Sequence, residues 1–167
     1  KKGVHIINDI NGGSEELFKL TKKYNAGLFL MHKRGTPKDM QKKLDPRSNM
    51  VKEFDKFIEK RLKILDKMKF NLKKVWFDPG IGFGKTLYQN LQLMRSLSKY
   101  SHKNLQILLG SSRKSWINFI DPSNANQRIG GSLASITHAL QQNVNTFRIH
   151  DVQETNQMIK VLKVLNK

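Results

Sequence analysis

Five short apolar runs, each separated from the next by residues at helical spacing, limit the folds open to this chain. The runs are Val4 to Ile7, Leu28 to Met31, Val75 to Phe77, Ile107 to Leu109 and Thr146 to Ile149. The first four do not alternate polar with apolar residues throughout, and the set reads as strands buried on both faces, as in a parallel sheet covered by helices. Between them, Val51, Phe54, Ile58, Leu62, Leu65 and Met68 fall on one helical face, with lysines and glutamates on the other. An earlier helix starts after Ser14, a capping residue, with Glu15 and Glu16 where the helix dipole favours anions. Leu87, Leu91, Met94 and Leu97 mark a third helix, Ile129, Leu133, Ile136 and Leu140 a fourth, and Met158, Val161, Leu162 and Leu165 a last. Repeated strand and helix units of this kind make an α/β fold.

The chain has 167 residues, 38% of them apolar, which suits one domain with one core. No apolar run is long enough to span a membrane, and no membrane partner is expected. With no cysteine there is no disulfide and no thiolate zinc site, which is compatible with the reducing cytoplasm, the location expected here. The net charge of +18 invites a nucleic-acid reading. Yet lysine supplies 24 of the 31 basic residues, spread over nearly every helix and loop, and no basic cluster is interleaved with aromatics. No nucleic-acid partner is expected on that pattern.

The stretch FDPGIGFGKT, residues 77 to 86, resembles a phosphate cradle but fits neither familiar template. The Gly-x-x-x-x-Gly-Lys-Thr loop needs glycine where Pro79 stands, and Gly-x-Gly-x-x-Gly needs glycine where Lys85 stands. What remains is Asp78 at the end of an apolar run, followed by a glycine turn.

Each apolar run ends in residues that a core cannot use: Asn8 and Asp9, then His32 and Arg34, Asp78, the trio Ser112, Arg113 and Lys114, and finally Arg148, His150 and Asp151. The carboxyl ends of parallel strands share one face, and in a β/α barrel that face holds the active site. Each ending also has a structural reading. Asp78 and Asn8-Asp9 suit turns, and Ser112-Arg113-Lys114 suits a helix cap followed by solvated charge. Arg148 and His150 alternate with Phe147 and Ile149 and so share a side of the strand. Two cations there imply an anion, or a buried salt bridge to Asp151 or Glu154. His5, His102 and His138 have no metal-ligand spacing, and the role of His32 stays open.

In order and spacing, HIINDI, LFLMHKRGTPKDMQ, DPGIGFGKT, GSSRKS and FRIHDVQET resemble the dihydropteroate synthases along the length of the chain. The resemblance implies a TIM (β/α)8 barrel of pterin-binding type. It also implies a transferase of folate biosynthesis that joins (7,8-dihydropterin-6-yl)methyl diphosphate to 4-aminobenzoate and releases diphosphate. Asn8 and Asp78 would hold the pterin edge, Met31 would pack on the ring and Lys114 would reach its carbonyl and ring nitrogen. Arg148 and His150 would bind diphosphate. Phe83, Ser112 and Arg113 would border the aminobenzoate pocket, with Gly110 among the substrate-binding residues. Lys114, Arg148 and His150 would be the catalytic set. The family also implies a homodimer, and Mg2+ associated with an asparagine of the first strand.

Only strands four to eight of such a barrel are represented, whereas a complete one takes about 250 residues. The expectation is therefore a partial barrel, residues 1 to 167 forming the C-terminal portion of a single pterin-binding domain that is inactive by itself. A chain starting Lys-Lys-Gly favours a sequence fragment. The alternatives are a decayed or split synthase, a basic nucleic-acid-binding module, or a pterin-binding methyltransferase domain. The last has no diphosphate to occupy Arg148 and His150.

Overall fold

The computed structural model describes residues 3–36, 40 and 44–166. Pro37 to Asp39 and Gln41 to Lys43, part of the second motif, lie outside the described residues. Five strands form one parallel sheet in chain order: β1 (Ile6–Asp9), β2 (Gly27–Met31), β3 (Val75–Asp78), β4 (Gln106–Leu109) and β5 (Thr146–Phe147). Parallel neighbours need a crossover, supplied by α1 (Glu15–Lys23), α2 (Met50–Lys67), α3 (Leu87–Arg95) with α4 (Ser98–Ser101), and α5 (Ser115–Asn118) with α6 (Ile129–Gln141). A last helix, α7 (Val152–Leu165), follows β5.

Local chemistry sets these limits. Ser14 and Asn49 accept the amides of Leu17 and Lys52 and so start α1 and α2. Thr86 and Gln89 form a reciprocal capping box on α3. Leu28, Leu30, Val75, Phe77, Ile107 and Leu109 join Phe18, Phe54, Ile58 and Leu93 of the helices in one core cluster.

Register reveals the opposite face. Asn8 pairs with Phe29, Phe29 with Trp76, Met31 with Asp78, and Trp76 with Gln106. These residues share the concave side. The Trp76 indole N–H donates to Thr146 Oγ1 at 3.1 Å, crossing from β3 to β5 over the intervening strand, as only a curled sheet allows. The fold is a curled half-barrel. The outer strands differ from the middle three: β1 is exposed or half-buried throughout, and β5 is half-buried.

Three expected boundaries moved, one of them at β5, which stops at Phe147 and leaves Arg148 and His150 in the segment after the strand and not on one side of it. The first strand runs from Ile6 to Asp9 instead of Val4 to Ile7, because the ladder to β2 pairs Asn8 and Asp9 in full while Val4 is left exposed. The third helix breaks after Arg95 into α3 and α4, with Leu97 and Tyr100 still buried across the break.

Candidate active site

Asp78 lies at the carboxyl end of β3, and its side chain is 2% exposed. Its Oδ1 accepts the Gly80 amide at 2.7 Å, closing the turn, and Lys114, Arg148 and Lys85 all act on it electrostatically. Burial pushes its carboxyl above the usual carboxylate range, while the Gly80 N–H and those three cations pull it back.

Lys114 follows β4. Its ammonium donates to the Ile81 carbonyl and sits 4.6 Å from the centroid of the Phe83 ring. Burial lowers its pKa to about 8, with Asp78 opposing and Arg148 assisting. Arg148, just after β5, lies across Gly110: a side-chain carbon at Gly110 would stand 3.3 Å from Arg148 Nη2 and 3.4 Å from Nε. Glycine there leaves room for the guanidinium. Ser112 Oγ meets His150 Nδ1 at 3.1 Å. The polar ends of β3, β4 and β5 thus converge on one crater.

Asp151 could have neutralised this cationic wall, but it pairs with Arg113, whose Nε donates to Oδ2 at 3.1 Å and whose Nη2 also binds the carboxylate. That hydrogen bond holds the Asp151 carboxyl below the usual range. The Arg148 guanidinium has no hydrogen-bonded acid among the described residues, so the salt-bridge reading applies to Arg113 and not to Arg148. The backbone of Arg113 adopts φ 57° and its amide donates to Ser132 Oγ at 2.9 Å, tying the loop to α6.

Not every polar ending enters the crater. Asp9 turns back to accept the amides of Asn11 and Gly13. Arg34 pairs with Glu53 of α2, its Nε 2.8 Å from Oε2. His32 is a core residue packed on Phe54 and Phe57. Burial drives its pKa from 6.5 down to about 3, so it is neutral at physiological pH. Met31, 2% exposed, lies under the glycine turn, with Cγ 3.2 Å from where a Gly80 side chain would start. Asn8 stands exposed on β1, on the concave side.

Lys85 escaped the sequence reading. It is 3% exposed, and its ammonium donates to the carbonyls of Gly80 at 2.9 Å, Phe83 at 3.0 Å and His32 at 3.2 Å. Its only sequence signal is position, a lysine inside a turn flanked by buried segments.

Among the described residues, no group of three or more histidines, aspartates or glutamates converges as a metal site. The asparagine that the resemblance associates with magnesium belongs to the first strand of the barrel, which is not among the strands of this chain.

A crater of this composition suits a polar heterocycle joined to an anion. Known proteins resemble this chain along most of its length. Residues 1–150 match the family model described as pterin binding enzyme. The chain is 35% identical over 163 residues to the bifunctional dihydropteroate synthase/dihydropteroate reductase of Helicobacter pylori, covering 97% of this chain and 42% of that protein. It is 34% identical over 166 residues to dihydropteroate synthase of Escherichia coli, covering 98% of this chain and 58% of the relative. Dihydropteroate synthase of Thermus thermophilus superposes with a TM-score of 0.88 at 29% identity. It has been solved in complex with 6HMPPP and, separately, with 4-aminobenzoate; in the 6HMPPP complex the match covers 99% of this chain and 66% of that one. With the family model matching most of its residues and the barrel geometry in agreement, this chain belongs to the pterin-binding enzyme family.

Proposed function

We propose that residues 1–167 are the C-terminal portion of a dihydropteroate synthase barrel domain. They would supply the pterin and diphosphate walls of a site that joins (7,8-dihydropterin-6-yl)methyl diphosphate to 4-aminobenzoate. The observation that carries this reading is a buried carboxylate, Asp78, interacting with Lys114 and Arg148, while Asp151 is taken up by Arg113.

An ionised Asp78 accepts two hydrogen bonds from an aminopyrimidinone edge, a charge-assisted arrangement. Asn8 assists from β1, Lys114 donates to the ring carbonyl, and Met31 packs on the ring face. Arg148 and His150 take the diphosphate, whose negative charge grows as the methylene carbon–oxygen bond breaks, so their attraction is strongest in the transition state. The aminobenzoate nitrogen, bordered by Phe83, Ser112 and Arg113, forms the new carbon–nitrogen bond and loses a proton to water. An arylamine is a neutral nucleophile near pH 7, so no general base is required. The complete protein would form a homodimer and work in the cytoplasm; no described helix is long and apolar enough to cross a membrane.

Calorimetry with the dihydropterin diphosphate provides the test. Arg148→Ala should weaken binding about 10- to 100-fold, the scale of lost charge-assisted hydrogen bonds, while binding of the diphosphate-free hydroxymethyl dihydropterin stays unchanged. Equal effects on both ligands would refute the assignment of Arg148. By itself the chain should not turn over. Joined to the part of the E. coli relative that it does not cover, it should sustain growth of a bacterium lacking its own synthase.

A further inference from the structure

We propose that Lys85 is a positioning residue of the candidate site, a buried cation that clamps the glycine turn to the end of β2 and keeps Asp78 ionised for its ligand. The geometry is specific. Gly80 and Phe83 stand at the two ends of the turn, and Lys85 Nζ holds the carbonyl oxygens of both, together with that of His32. The same turn binds Asp78 through the Gly80 amide, carries Phe83, and receives Lys114 on the Ile81 carbonyl. One ammonium thus fixes the relative places of the Asp78 carboxylate and the Phe83 ring.

Packing alone would not select a lysine here. Burying an ammonium is expensive unless it is fully hydrogen-bonded, and an apolar side chain of the same length would fill the space without that cost. What the apolar residue would lack is three donors and a positive charge near Asp78. Facing Asp78 are the Gly80 amide and the cations Lys114, Arg148 and Lys85. Facing Lys85 are Asp78, Lys114, Arg34 and Glu53. Asp78 is the most buried carboxylate of the crater, so removing any one of its cations favours the neutral acid, which cannot accept both hydrogen bonds from an aminopyrimidinone edge. Burial lowers the Lys85 pKa to about 7, so the clamp is fully charged only below neutrality.

The role of this residue in ligand affinity rests on the pterin-site reading; its effect on Asp78 does not. Asp78 can be followed in the 167-residue chain by carbon NMR, its signal assigned by loss in Asp78→Asn. Lys85→Met should shift the Asp78 titration to higher pH, and Lys103→Met, an exposed control, should leave it in place. The hydroxymethyl dihydropterin should bind Lys85→Met about tenfold more weakly at pH 6, with the acid limb of binding moved to higher pH; Asp78 is competent above its pKa and loses affinity as pH falls through it. An unmoved Asp78 titration overturns the proposal. A moved titration in a chain that binds no pterin supports the clamp and rejects the pterin-site reading. If Lys85→Met does not fold, the unsubstituted chain decides: Lys85 ammonium protons that exchange slowly with water at pH 6 support the clamp, and protons in free exchange overturn it.

Discussion

Acid should destabilise this fold through one side chain, His32. Its ring is 7% exposed, and its centroid lies 5.4 Å from that of Phe57 and 5.9 Å from that of Phe54. Nδ1 finds no hydrogen-bond partner among the described residues. Burial, reinforced by the positive charges of Lys85 and Arg34, pushes the pKa from 6.5 down to about 3. The fold therefore holds a neutral ring, while the unfolded chain takes up a proton near pH 6.5. The contribution is fully present above pH 6.5 and is lost as pH falls from there toward 3. Between pH 7.5 and pH 5 the loss amounts to about 2 kcal/mol, approaching about 5 kcal/mol below pH 3. His32→Leu keeps an apolar group of similar bulk and removes the titration. Urea unfolding followed by tryptophan fluorescence at pH 7.5, 6 and 5 measures both chains. Carboxylates titrate alike in the two, so the difference isolates His32: the unsubstituted chain should lose about 2 kcal/mol more than His32→Leu over that range. Parallel losses would refute the reasoning.

Two further outcomes follow from the crater. Because burial lowers the Lys114 pKa to about 8, affinity for a dihydropterin should have a limb that falls as pH rises through about 8, above the loss that follows Lys85 near 7. Lys114→Met should bind weakly with no such alkaline limb, which a calorimetric pH series checks. Gly80→Ala places a carbon 1.9 Å from the His32 carbonyl oxygen at φ +64°, where a side chain is strained in any case. It should lower stability by more than about 2 kcal/mol in the same urea assay and abolish pterin binding.

The architecture was legible because an unalternating run can be satisfied only with both faces covered, and β2, β3 and β4 are covered in that way. That Asp78, Lys114 and Arg148 lie near one another was legible for a related reason: each stands at or after the end of a strand, and parallel strands end together. Less visible was which way a polar residue turns. His32 and Arg34 also follow a strand, yet one enters the core and the other pairs with Glu53, a partner 19 positions away whose position only the packing of α2 decides. Lys85 was hidden because a lysine in a glycine turn usually means solvent, and nothing local signals three carbonyls gathered from two segments. The start of β1 was misplaced because apolar content suggested Val4, while backbone pairing with β2, not hydrophobicity, sets that boundary.

The half-barrel divides its site unevenly, with a consequence for binding. Asp78, Lys114 and Arg148 come from β3 and the segments that follow β4 and β5, and their placement is fixed by contacts within these units: Gly80 on Asp78, Ile81 on Lys114, Gly110 beneath Arg148. Asn8 belongs to β1, where Ile6 is exposed, as are Val4 and Ile10 on either side of the strand, and a groove of about 410 Å³ opens beside Leu20 of α1 and Tyr24 at its end. An edge strand with uncovered apolar residues is held mainly by its one neighbour and is the first to fray. On the proposed pterin reading, the contacts would fall into two groups, those that the buried units set and the one from Asn8 on the exposed edge. Covering that edge should tighten pterin binding through Asn8 while leaving the diphosphate contribution of Arg148 unchanged. A double-mutant cycle between Asn8→Ala and Arg148→Ala would then be additive, because no shared element carries strain from one to the other.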